Sequence, residues 1–225
     1  MIKINYKKNN STGGFTIMET MVAIFIIMLA ITGPMVFTQN ALRAAFLSRD
    51  QITAFFLAQD AIEYIKNIRD GHVVNIINSP SDTPDGWMGN GKLRQYCMGD
   101  DNDNKGCTVD TKEAEDQIRS CQTEGTPGCV VDGSDNLTKY TPLNYKDNAY
   151  FTNKDLSGGT IVPSLFAREI KMKDLYKGDP IKGNREVEVT VTIRWKSHEG
   201  VGTREVVVKE NIFNWANALI SQSTP

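Results

Sequence analysis

Four cysteines, one carboxylate inside an apolar run and a short acidic loop are the residues of this chain with chemistry to offer. Cys97, Cys107, Cys121 and Cys129 are even in number and confined to one stretch. Four cysteines allow three pairings. Neighbouring pairs, Cys97–Cys107 and Cys121–Cys129, are expected because short loops close at the least entropic cost. Zinc is disfavoured, since no Cys-x-x-Cys pair and no nearby histidine accompanies them. The run "DDNDNKGC" puts Asp101, Asp103 and Gly106 at the first, third and sixth places of a calcium loop. Lys105 and Lys112 fill the fifth and twelfth places, so a hydrated acidic turn is the competing reading. His72 and His198 are the only histidines, and no H-E-x-x-H, G-x-S-x-G or P-loop motif occurs. A structural protein is expected rather than an enzyme, with no cofactor.

The carboxylate is Glu19, in "KKNNSTGGFTIMETMVAIFIIMLA". It is the one charged residue between Phe15 and Leu42, a stretch of 28 residues counting both ends. At about 1.5 Å per residue such a helix reaches roughly 42 Å, more than the ~30 Å hydrocarbon core of a bilayer. Lys3, Lys7 and Lys8 precede it and favour a cytoplasmic N-terminus. A cleaved secretory signal has a shorter apolar core with its small-residue site behind it; here the core is longer and Gly13-Gly14 stands before it. A plain single-span anchor accounts for the length and leaves Glu19 without a purpose. An acid within an apolar span defaults to a functional reading, with an interfacial carboxylate reaching headgroup water as the bland one.

The order basic leader, Gly14, Phe15, Thr16, Ile17, Met18, Glu19, apolar span resembles the processing motif of type IV pilins and type II secretion pseudopilins. The resemblance covers about residues 7–45. It implies that a membrane-bound prepilin peptidase cuts after Gly14, that Phe15 becomes the N-methylated N-terminus, and that Glu19, fifth in the mature chain, serves subunit assembly. Cleavage removes Lys3, Lys7 and Lys8 and creates an α-amino group that titrates near pH ~8, hence largely cationic at neutral pH. Opposite charges about 4 Å apart gain roughly 4 kcal/mol at an effective dielectric of ~20, before desolvation. Glu19 of one subunit can thus hold the Phe15 amine of another.

These residues need elements to position them. Gly33-Pro34 lies inside the span, where the proline removes a backbone donor and crowds the carbonyl of Ala30; a kink is expected there. Beyond Leu42, Ile52, Phe55, Ala58, Ile62, Ile65 and Ile68 step by three or four and predict an amphipathic helix to Asp70, capped by Gly71. In "REVEVTVTIRW" Val187, Val189, Val191, Ile193 and Trp195 alternate with polar residues, which predicts a half-buried strand. "LFAREIKMKD" before it, with Phe166, Ile170 and Met172 on one face, and "REVVVKENIF" after it complete an antiparallel meander. "NWANALI" is either a short closing helix or a tail. Between these parts, periodicity fails and Gly, Asp, Asn, Ser and Thr dominate.

The expected fold class is α+β: a long N-terminal helix packed on a C-terminal antiparallel meander, pilin-like, with an irregular cysteine-bearing insertion. The expected division is a leader over 1–14, a transmembrane or filament-core helix over 15–42, an amphipathic helix over 43–70, the insertion over 71–160, and sheet and tail over 161–225. The resemblance implies a minor pilin, anchored by one pass in the cytoplasmic membrane with its head outside, then built into an extracellular filament. Its partners would be other pilin subunits, the prepilin peptidase, the inner-membrane assembly platform and, before assembly, lipid. A type II secretion pseudopilin, a tip adhesin or uptake module, and a monomeric membrane-anchored domain are the alternatives. A net charge of −2 and the acidic insertion speak against nucleic acid.

Overall fold

The structure is a computed structural model of the 225-residue chain. It describes residues 13–78, 87–88, 91–98, 106–111, 118–121, 129, 143–146, 150–152, 161–176, 185–196 and 202–215, with 76, 78, 145–146, 150 and 161 by backbone alone. The chain divides into two compact units between Ser48 and Arg49.

The first unit is helical from Ile17, the start of helix α1 (Ile17–Asn78). Its apolar residues, Ile17 to Phe37, are exposed, and it is long and apolar enough to cross a membrane. The helix continues through Gly33 and Pro34 without a break. The Thr32 hydroxyl donates to the Met28 carbonyl, and that of Thr38 to the Pro34 carbonyl at 2.8 Å. Such back-bonding is how an apolar helix satisfies hydroxyls that have no water.

The second unit packs the remainder of α1 on a sheet. Three corrections to the sequence reading arise here. First, α1 does not stop at Asp70 but continues to Asn78. Gly71 therefore sits in helix, and burial of Val73 on the turn beyond it repays the weak propensity of glycine. Second, the buried stripe is Ala54, Leu57, Ala58, Ala61, Ile62, Ile65 and Ile68, whereas Ile52 and Phe55 are 53% and 45% exposed. The alanines share this face with Leu57, Ile62, Ile65 and Ile68, and Ile52 and Phe55 are turned away from it. Third, the stretch expected to be irregular contributes elements of its own: the end of α1, a short helix α2 (Lys92–Cys97), and strands β1 (Cys107–Thr108), β2 (Arg119–Ser120), β3 (Asn144–Lys146) and β4 (Tyr150–Thr152).

The main sheet has five strands in the order β2-β1-β6-β7-β8, with β6 Phe166–Asp174, β7 Glu186–Lys196 and β8 Thr203–Phe213. The antiparallel β6-β7-β8 meander is the one the alternation predicts. Ile170 faces Val191 and Val191 faces Val208 across it. On β7 every second residue from Val187 to Trp195 is buried against the helix side. Gly202, at the entry to β8, has φ 84°, the left-handed region that glycine enters without strain. A smaller sheet, β4-β3-β5 with β5 Ile161–Pro163, docks at the start of β6, where the Phe151 and Phe166 rings meet edge to face at 5.9 Å.

Disulfides join Cys97 to Cys107 and Cys121 to Cys129. The first ties α2 to β1, a two-residue strand that meets β6 only at Cys107↔Ile170. Strands this short carry little pairing energy, so the covalent link does the work that a longer ladder does elsewhere. Asp101 and Asp103, the calcium positions, lie outside the described residues, as do His198 and most of "NWANALI"; among the described residues no group of three His, Cys, Asp or Glu side chains is placed to hold a metal ion.

Candidate functional site

The residues singled out at the N-terminus lie at the start of α1. Gly14, Phe15 and Thr16 precede the helix, and Phe15 is 79% exposed. Thr16 is the N-cap: its hydroxyl accepts from the Glu19 N–H at 3.3 Å, and its carbonyl accepts from Glu19 and Thr20 at 3.1 and 3.2 Å. Thr16-x-x-Glu19 is thus a capping-box sequence, a signal that apolar periodicity does not carry. Glu19 is the acid of the first turn, where the helix dipole favours negative charge. A Cβ placed on Gly13 or Gly14 meets nothing within 4 Å. Nothing in the described chain therefore demands glycine at either place. Gly33 is equally open, so its pairing with Pro34 is not imposed by packing within the chain.

A second cluster, which the sequence reading missed, is buried in the head. Arg168 occupies a core-facing position of β6 between Phe166 and Ile170 and is 1% exposed. Its Nη2 donates to the Val109 carbonyl at 2.6 Å, and its Nη1 donates to the Leu57 carbonyl at 3.1 Å and to Asp60 Oδ2 at 3.4 Å. Burial pulls the guanidinium pKa down, and Asp60 and Asp110 oppose that. The Thr152 hydroxyl in turn donates to Asp110. One cation therefore ties α1, the strand β6, the turn after β1 and, through Asp110, β4. The charge in an inward phase of "FAREIKM" was the available signal.

A third polar contact closes the far end of the head. The Trp215 indole N–H donates to Asp70 Oδ1 at 3.2 Å, and Arg69 Nε donates to the same oxygen at 2.9 Å. The hydrogen bond from Arg69 is the main cause holding the Asp70 carboxyl below its ordinary value, with Trp215 adding to it against partial desolvation. Lys66 pairs with Glu210 of β8 at 2.5 Å. These contacts fasten α1 to β8 and the residues after it.

Chemically, the Arg168 and Asp70 clusters hold elements together; neither sets a nucleophile beside a base in an open cleft. The N-terminal segment differs, because its residues are exposed and its glycines are unexplained within the chain. No protein-family model, no curated protein and no solved structure matches this chain.

Proposed function

We propose that the chain is a structural subunit, of minor-pilin type, of a type IV pilus-like envelope filament. In this reading a prepilin peptidase cuts after Gly14, Phe15 is N-methylated, and Glu19 neutralises the Phe15 amine of a neighbouring stem. The chain starts as a single-pass membrane protein with its head outside the cytoplasm and is then drawn into the filament by an assembly platform. The observation that carries this reading is the extent of apolar exposure on α1. Phe15 to Phe37, Leu42, Phe46, Ile52, Phe55 and Phe56 are all exposed. From Ile17 to Phe46 the helix rises roughly 44 Å, about one and a half times the ~30 Å hydrocarbon thickness of a bilayer. Lipid can cover only part of that length, whereas adjacent copies of the same helix can cover all of it.

Two further features support the reading. The steric freedom at Gly14 leaves the need for glycine to something that approaches from outside, as a peptidase does. The capping box presents Glu19 at a helix start that cleavage would place one residue behind a new ammonium. Mass spectrometry of the chain co-expressed with a prepilin peptidase tests the first step. A mature chain beginning at an N-methylated Phe15 is expected; a chain that keeps its leader, or begins elsewhere, refutes it.

A further inference from the structure

Strand β8 ends the five-stranded sheet, and no described strand pairs with its outer edge. It is eleven residues long, from Thr203 to Phe213. Exposed edges of this length invite pairing with another chain, and proteins usually blunt them with proline, bulges or charged side chains. Strand β8 has no proline, and its charges flank the centre and leave it apolar. Its centre is Val206-Val207-Val208, and Val207 is 47% exposed. The charges are placed on either side: Arg204 and Glu205 before the valines, Lys209 and Glu210 after them.

That arrangement is self-complementary when the strand is laid antiparallel on a copy of itself about Val207. Arg204 then faces the other copy's Glu210, and Glu205 faces its Lys209. Val206 faces Val208, and Val207 faces itself. Every charged pair is of opposite sign, and each occurs twice because the contact is isologous. The register preserves the sides of the sheet, since directly opposed residues of an antiparallel pair share a face. A slip by two residues, the smallest that keeps the faces, breaks the match: centred on Val206 the pairing sets Arg204 against Val208, and centred on Val208 it sets Glu205 against Asn211. Existing ion pairs extend the pattern. Glu205 already binds Arg194 at 2.9 Å and Lys209 binds Glu188 at 3.2 Å on the sheet face away from α1. Across the junction these become one row of alternating sign: Arg194, Glu205, the other copy's Lys209 and its Glu188.

We propose that β8 is a homodimerisation edge, through which two heads join into one continuous sheet by antiparallel β8–β8 pairing centred on Val207. The inference stands on the head alone and does not depend on the filament reading.

The test uses the full chain in detergent micelles. All four native cysteines are held in the two internal disulfides, so an introduced cysteine is the one free thiol. In the proposed register the two Val207 Cα atoms are about 5 Å apart, within disulfide reach. Glu205 and its own counterpart are about 13 Å apart, which is outside it. Mild oxidation should link most Val207→Cys chains into dimers and fewer than a tenth as many Glu205→Cys chains. Charge reversal adds a second arm in the Val207→Cys background. Arg204→Glu with Glu205→Lys, and separately Lys209→Glu with Glu210→Lys, should each lose the cross-link at least tenfold. An equal mixture of these two variants should recover it, because every facing pair is then opposite again. Equal linking at 205 and 207 overturns the proposal. So does a Val207→Cys chain that stays monomeric, as it would if the edge serves a different protein. Failure of the mixture to recover, with both variants showing parental circular dichroism, overturns it as well. If the reversed variants do not fold, the comparison of 207 with 205 decides alone.

Discussion

Replacing Arg168 with methionine removes the guanidinium while keeping most of the volume of its stem. The Val109 carbonyl loses a 2.6 Å charged donor. An acceptor stranded in a buried site costs about 1–3 kcal/mol. The Leu57 carbonyl also loses a contact at 3.1 Å, but it belongs to the α1 ladder and keeps its helical donor, so little is added. The Asp60 carboxylate is 45% exposed and returns to water, so its ion pair counts for no more than ~1 kcal/mol. Asp110 is fully buried and loses a cation that acts on it, which adds about 1 kcal/mol or more. Relief of guanidinium desolvation opposes these losses. The net expectation is a destabilisation of about 2–4 kcal/mol. Urea unfolding of the full chain in detergent, followed by tryptophan fluorescence, reads it as a midpoint lowered by roughly 1 M or more at an m-value of about 2–3 kcal/mol/M. Adding Asp110→Asn should return part of the loss, since the buried carboxylate charge is gone. A midpoint unchanged within about 0.3 M, or a double variant no better than the single one, would refute the role given to this cation.

Gly71→Ala should stabilise the head by about 0.5–1 kcal/mol, because the position is helical, a Cβ there meets nothing within 4 Å, and alanine is the better helix former; destabilisation in the same urea assay would mean that the helix ends at Asp70 after all. Asp70→Asn should flatten the acid limb of the stability curve. The folded carboxyl titrates below its unfolded value, so its contribution is complete above about pH 4 and is lost as pH falls through the lower folded value. Parent and variant should therefore differ most at neutral pH and converge once the pH has fallen below the folded value, which chemical unfolding at stepped pH measures. Paired Cys97→Ser and Cys107→Ser substitution should cost about 3 kcal/mol, from the loop-closure entropy of a ten-residue separation, and should expose the amides of β1 to faster hydrogen exchange.

How far the chain can be read in advance depended on the length of each element. Strand β7 carries eleven residues of strict alternation, and β6 and β8 follow from its flanks. Strands β1 to β5 have two or three residues each, too few to show a period, so the second sheet and the outer strands were invisible. In α1 the spacing of large residues pointed correctly to Ala58, Ile62, Ile65 and Ile68 but also to Ile52 and Phe55, while Ala54, Leu57 and Ala61 are buried in their place; hydropathy gives alanine little weight. Gly71 reads as a helix stop from local propensity, which the burial of Val73 overrides. Arg168 was readable as a charge in an inward phase, and Thr16 as the start of a capping box; neither shows in the spacing of apolar positions. The N-terminal site is the reverse case. The order of Gly14, Phe15 and Glu19 raises a functional expectation, and the fold adds only that these residues are exposed and that the glycine is not required from within.

In the proposed filament the Glu19 carboxylate recruits the stem through a neighbour's ammonium. The direct measurement is competition: parent and Glu19→Gln chains, each with a distinct mass label, are co-expressed at equal levels with the processing peptidase, and the ratio in purified filaments is compared with that in the membrane. Glutamine keeps the size and removes the charge, so filaments depleted of the variant by tenfold or more, from a membrane pool that remains balanced and cleaved after Gly14, are predicted. Equal representation in filament and membrane would contradict that role for Glu19.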